Sequence, residues 1–288
     1  MNIVSVNVMD SASLLKEIQN GQSVIYGTGY AAENFFKALQ IRGVAERVKY
    51  FAQTDTGNGK RIFNNLKIIS VDELAEMKGM FVCLAVHEAI RDEIIKIFQE
   101  RGITNFVWVH PNIYELAFGT PIKYDTDIKI RDIVCRQENE NYYFAVRYLA
   151  IEEYFKKNDY GYKVYLQAMR LQCEEKTAYR RLEKFCELIG NWAGVGYQTN
   201  SPILIDENYR LIDGTHRICL ALYFKQEIIK GIIFPASEHF YEIAKETDFL
   251  PESMLVDAGL EREQIDVIKK TQIRIRERVM SNNNSDML

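Results

Sequence analysis

The sequence predicts an α/β chain of two domains, and three observations carry that expectation. A strand leads through a glycine turn into a helix at "QSVIYGTGYAAENFFKALQ" from Gln22, strand–helix alternation continues to about residue 110, and a hairpin runs into a buried helix at "ILIDENYRLIDGTHRICLALYF" from Ile203. The first two place a parallel sheet with right-handed crossovers in residues 1–124. The third places an α+β domain with helical additions in residues 125–288. The length of 288 residues exceeds one ordinary core and favours two.

Composition narrows the class. With 47% hydrophobic and 26% charged residues the chain has the make-up of a globular protein, and no apolar run approaches the roughly 18 residues of a membrane helix. The start "MNIVSVNVMDSASLLKE" lacks the basic flank and continuous apolar stretch of a signal peptide, so the expected compartment is the cytoplasm. A net charge of −4 with no basic half argues against a nucleic-acid partner. Cys83, Cys135, Cys173, Cys186 and Cys219 are widely spaced with no C-x-x-C, and read as buried thiols rather than a disulfide framework or zinc site.

In the first half "QSVIY" is the opening strand. Gly27 and Gly29 follow, with Ala32 where the third small residue of G-x-G-x-x-G/A would stand. Gly27 permits the tight turn, Gly29 lets backbone approach a phosphate, and Ala32 lets helix and strand pack closely. The helix N-terminus offers N–H groups to an anion. The next strand, from Val48, ends at Asp55, 26 residues beyond Gly29 and placed to contact a ribose hydroxyl. "NLKIIS", "MFVCLAV" and "NFVWVHP" supply further strands, and Ser70 with Glu73 predicts a capping box. Gly27 to Tyr30, Asp55 and His87 should therefore line the rim beyond the strands' carboxyl ends. Its expected ligand is a nucleotide or nucleotide-sugar; the alternative is a turn with a purely structural role and a histidine that only ends a strand.

Pro111 and Pro121 flank the expected division near residue 125. From Asn141 the chain reads as helix, broken near Gly161, with Leu182, Phe185, Cys186 and Ile189 as a buried stripe bordered by Arg180 and Arg181. Either arginine could meet an anion or simply face solvent. "REQIDVIKKTQIRIRERVM" is an amphipathic helix suited to capping the domain or forming a homodimer, and "SNNNSDML" reads as a disordered tail.

The DGTHR turn joins strand to helix. Asp213 or Thr215 could cap the helix, but His216 and Arg217 would then oppose its dipole. A phosphate would offset that: Gly214 allows close approach, Arg217 supplies a planar donor fork, and His216 adds a donor or a proton shuttle. The alternative is a structural pair, Asp213 with Arg217 or with His216.

Two family resemblances follow from these residues. "VIYGTGYAAENFFKAL" and "FVCLAVHEAIRDEIIKIF", over about residues 20–112, resemble the Rossmann-like domains attached to bacterial envelope-polysaccharide enzymes and sugar acyltransferases. The hairpin, D-G-x-H-R and helix, over about 177–236, resemble the ParB/sulfiredoxin-like fold. Sulfiredoxins carry a cysteine before the histidine where this chain has Thr215, which argues against sulfinic-acid reduction. ParB proteins add a helix-turn-helix domain and basic surfaces that this sequence lacks. Free-serine kinases of the fold, with D-G-H-H-R, and polysaccharide-cluster proteins with a D-G-S-H-R-like loop are closer.

That resemblance implies ATP or another nucleoside triphosphate with Mg²⁺, a small hydroxylated acceptor, and Asp213, His216 and Arg217 at the transferring phosphate. Glu183 and Glu187 are the upstream candidates for its carboxylate base. The expected function is a nucleotide-dependent phosphotransferase in cell-surface polysaccharide precursor synthesis; the alternatives are a nucleotide-sensing or scaffolding protein, and an oxidoreductase resting on the first domain alone, for which no acid–base set accompanies the glycine turn.

Overall fold

The computed structural model describes residues 9–55, 61–137, 140–171, 173–198, 201–244 and 250–281; the expected tail beyond Ser281 lies outside them. The fold is α/β with two mixed sheets, in two compact units, Met1–Thr120 and Pro121–Leu288. No described helix is long and apolar enough to cross a membrane.

In the first unit α1 (Ser11–Asn20) precedes β1 (Ser23–Tyr26) and α2 (Tyr30–Ile41). Then come β2 (Val48–Gln53), β3 (Ile62–Phe63), β4 (Leu66–Ser70), α3 (Val71–Glu76), β5 (Phe81–Leu84), α4 (Glu88–Glu100), β6 (Phe106–Trp108) and α5 (Ile113–Phe118). The strand order is β3-β4-β2-β1-β5-β6. All pairings are parallel except β3 with β4. That antiparallel hairpin departs from the all-parallel expectation. Its cause is local: Asn64 and Asn65 both take positive φ, 47° and 64°, the geometry of a two-residue primed turn.

β1 and β5 are buried along their whole lengths, as central parallel strands require. Sequence order runs outward from β1 in both directions, so the crossovers diverge between β1 and β5. Ser70 and Glu73 form the expected capping box at the start of α3.

The second unit opens with β7 (Lys123–Lys129) and α6 (Ile130–Arg136), followed by α7 (Tyr143–Tyr154), α8 (Gly161–Arg170) and α9 (Glu175–Val195). The hairpin β8 (Ile203–Asp206) and β9 (Leu211–Asp213) leads into α10 (Thr215–Tyr223), β10 (Ile228–Phe234), α11 (Phe240–Ile243), α12 (Glu252–Asp257) and α13 (Arg262–Ser281). The sheet order is β7-β10-β8-β9, with β8 and β10 parallel and the outer pairings antiparallel.

Residues Tyr143 to Ile151 of α7 are buried on every side, so α7 is the core of the unit rather than an amphipathic cover. α8 starts hard against it. A methyl group on Gly161 would lie 2.1 Å from the Leu149 carbonyl oxygen, so the two helices meet backbone to backbone.

Candidate functional site

At the DGTHR junction β9 ends on Asp213 and α10 begins at Thr215, with Gly214 between them at φ 116° and ψ 16°. A side chain at 214 would be strained by that left-handed backbone, and its Cβ would lie 2.5 Å from Cγ2 of Ile203. Packing and dihedral therefore account for this glycine without a ligand. Gly214 is itself the N-cap and supplies no side-chain bond, which corrects the expected cap by Asp213. Asp213 is turned instead to Arg217.

Arg217 donates from Nη2 to Asp213 Oδ2 at 2.8 Å, and from Nη1 to the Ser201 carbonyl at 2.9 Å, Ser201 Oγ at 3.1 Å and the Pro202 carbonyl. The structural pair held open by the sequence is thus present. Asp213 is 50% exposed and Arg217 16%, so the pair sits at an accessible edge where its own contribution is about 1 kcal/mol or less.

His216 corrects a second expectation. Its ring is partly buried, 4.3 Å from the Phe185 ring centre, with Nε2 3.0 Å from the Tyr165 hydroxyl. Burial, and then the positive charges of Arg147, Arg181 and Arg217, hold its pKa well below the usual histidine value. At neutral pH it is a neutral imidazole, so His216 itself does not oppose the helix dipole. Burial likewise pushes the Tyr165 phenol up to about 12, so this pair shares a proton without carrying charge.

Arg147 is the residue that sequence reasoning missed. It sits mid-way along α7, 2% exposed, with its guanidinium 3.5 Å above the Tyr143 ring and 5.9 Å from that of Tyr165. Nη1 donates to the Tyr143 carbonyl at 3.1 Å, whereas Nε is buried without any partner. No carboxylate of the described residues lies within ion-pairing distance. A buried charge left this way costs several kcal/mol unless something compensates it.

The arginine pair on α9 divides. Arg180 is exposed, whereas Arg181 is partly buried and its charge reaches both His216 and Tyr165. Glu183 and Glu187 are exposed, and Glu187 is bound to Lys184 at 2.8 Å. α7, α8, α9 and α10 thus bring Arg147, Tyr165, Arg181, His216 and Arg217 into one neighbourhood of positive potential. No group of three or more metal-ligating side chains occurs among the described residues.

In the first unit the glycine turn has different causes at its two ends. Gly27 has φ 125°, and a Cβ there would meet the Ala85 carbonyl oxygen at 2.7 Å. Gly29, the N-cap of α2, has extended backbone, and a Cβ would meet nothing within 4 Å. Of the two, Gly29 is the one that leaves open space beside it.

Asp55 is exposed, and its carbonyl accepts from the Gln53 side chain at 2.7 Å. Tyr30 opens α2 and is partly buried. Beyond β5 and β6, His87 meets His110 edge-on at 5.3 Å, His110 stacks on Trp108, and Arg91 lies over the Trp108 ring. Of these the sequence singled out His87 alone.

No protein-family model, no curated protein and no solved structure matches the chain.

Proposed function

We propose that the second unit binds a nucleoside triphosphate and transfers a phosphoryl group to a small hydroxylated acceptor, as a cytoplasmic enzyme of cell-surface polysaccharide precursor synthesis. The observation that carries this is the buried guanidinium of Arg147, with no carboxylate of the described residues in reach, beside an imidazole held neutral and near Arg181 and Arg217. An anionic ligand supplies the missing charge. Phosphoryl transfer asks a protein chiefly for positioning and charge neutralisation, which three arginines at a helix N-terminus offer. The likeness of D-G-T-H-R to the free-serine-kinase loop of the ParB/sulfiredoxin-like fold points the same way, and supplies the pathway.

In this reading the N–H groups at the start of α10 face phosphate, Arg181 and Arg217 hold its oxygens, and Arg147 stabilises charge from below. Neutral His216, with Tyr165 fixing its orientation, passes a proton or donates one bond. Asp213 receives the acceptor's proton. It is also the one carboxylate of the loop, so these residues fit Mg²⁺ only as an ion carried in on the phosphates, the usual manner for that ion.

The first unit would hold a second nucleotide or nucleotide-sugar as a Rossmann-like domain. The divergence of crossovers at β1 and the open space at Gly29 support that, with Gly27, Tyr30 and Asp55 on the rim.

A second reading is favoured by Arg217, whose guanidinium is already occupied by Asp213 and by the 201–202 segment. There the unit senses nucleotide without turnover. Incubation with ATP or CTP, Mg²⁺ and a panel of sugars, polyols and amino acids separates the two. Nucleotide consumed in the presence of one acceptor class supports transfer. If none is consumed while nucleotide still raises the Tm, the sensing reading stands.

A further inference from the structure

A cavity of about 140 Å³ in the second unit lies away from the DGTHR junction, at the opposite end of α10. It is lined by Lys129 and Arg131 at the start of α6, Lys225 after α10, Glu227 before β10 and Arg278 in the last turns of α13. Four cations from three separate stretches of chain thus converge against one carboxylate. Lys129, Lys225 and Arg278 pair with no carboxylate of the described residues. Arg278 donates to the Tyr148 hydroxyl from Nη1 at 3.1 Å, and its Nη2 is buried without a partner. Lys225 holds φ 60°, a left-handed backbone that non-glycine residues seldom adopt.

Ile130, Leu222, Ile228 and Val279 complete the lining, so one side is apolar. A cavity of about 150 Å³ is large enough for one benzene molecule. The occupant that fits is consequently a few carbons long and carries a concentrated negative charge at one end. We propose that this cavity is a second ligand site, for a small phosphate monoester whose phosphate meets Lys129, Lys225 and Arg278 while its carbon chain lies on the isoleucines. The site goes beyond the nucleotide reading and does not depend on it.

The test is a titration of the full chain, carrying ¹³C-labelled isoleucine methyl groups, with propyl phosphate, propanol and inorganic phosphate. Ile130 and Ile228 report this cavity, and Ile203, packed on Gly214, reports the DGTHR junction. The expected result is saturable movement of the Ile130 and Ile228 signals with propyl phosphate, none with propanol, and at least tenfold weaker binding of inorganic phosphate. The double variant Lys129→Gln/Lys225→Gln, altering two exposed side chains, should keep the wild-type spectrum and bind at least tenfold more weakly. Unmoved Ile130 and Ile228 signals, equal affinity for inorganic phosphate, or unchanged affinity in the double variant would each overturn the site. Failure of the nucleotide reading would appear separately, as an absence of nucleotide effects at Ile203.

Discussion

The hydroxyl of Tyr165 and Nε2 of His216 stand 3.0 Å apart and join α8 to the first turn of α10. Because His216 is held neutral by burial and by three arginines, the folded state resists its protonation. Above the ordinary histidine pKa of about 6.5 both folded and unfolded chains carry it neutral, and it adds no pH dependence. As the pH falls through that value the unfolded chain gains a proton that the folded chain refuses, so stability drops, by at most about 1.4 kcal/mol per pH unit. Denaturation midpoints at pH 7.5 and 5.5 should therefore differ less in His216→Gln than in the wild type. An equal difference would place the titrating group elsewhere.

Binding should show the reverse linkage. An anion beside His216 offsets the arginines and raises the imidazole pKa. Affinity for a nucleotide phosphate is expected to strengthen as the pH is lowered from 7.5 towards 6, followed by calorimetry, and this gain should vanish in His216→Gln.

Arg147→Met separates stability from binding. Removing an uncompensated buried cation relieves its desolvation, so the unfolding midpoint should hold or rise. Nucleotide affinity should fall by about 1.5–3 kcal/mol, the worth of a charge-assisted bond. A large loss of stability instead would show that Arg147 is held by packing alone.

The Asp213–Arg217 pair gives a sharper division. Asp213→Asn frees the guanidinium from a competing carboxylate, so nucleotide binding should be kept or tightened while turnover falls by roughly 10²-fold or more, as for loss of a general base. Arg217→Ala should weaken nucleotide binding by about 1.5–3 kcal/mol with the fold retained. Isothermal titration and single-turnover assays on both variants check this; unfolding of Arg217→Ala would assign the pair a structural role.

Glycines that look alike in the sequence should behave differently. Gly214→Ala combines a left-handed backbone with a collision on Ile203 and should cost at least about 2 kcal/mol. Gly29→Ala meets open space and should leave stability within about 0.5 kcal/mol, while abolishing any nucleotide binding that needs backbone approach there. Chemical denaturation and nucleotide titration of both proteins read the contrast.

Strand runs, the glycine turn, the capping box and the hairpin before α10 were legible because each depends on neighbours in the chain. The β3–β4 hairpin was not, since two asparagines in a short polar stretch signal a turn only once both flanking strands are known. Arg147 was hidden for a different reason. In "FAVRYLAI" a single cation inside an apolar helix reads as a border residue, and only the burial of α7 on all sides reveals a buried charge with no carboxylate of the described residues in reach. The neutrality of His216 was equally out of reach, because it arises from burial among helices and then from arginines on three of them. The Asp213–Arg217 spacing of one helical turn was visible, but the pair it forms stood only as the alternative to a phosphate, beside a pairing of Asp213 with His216.

Gly161 has a wider meaning than its place at the start of α8. With Leu149 against it, the spacing of α7 and α8 has one value, and that spacing sets the distance from Arg147 to Tyr165. Descendants of this sequence could alter which molecule they accept by exchanging side chains along the walls. They could not do so by spreading the helices, because position 161 is closed to any side chain at all.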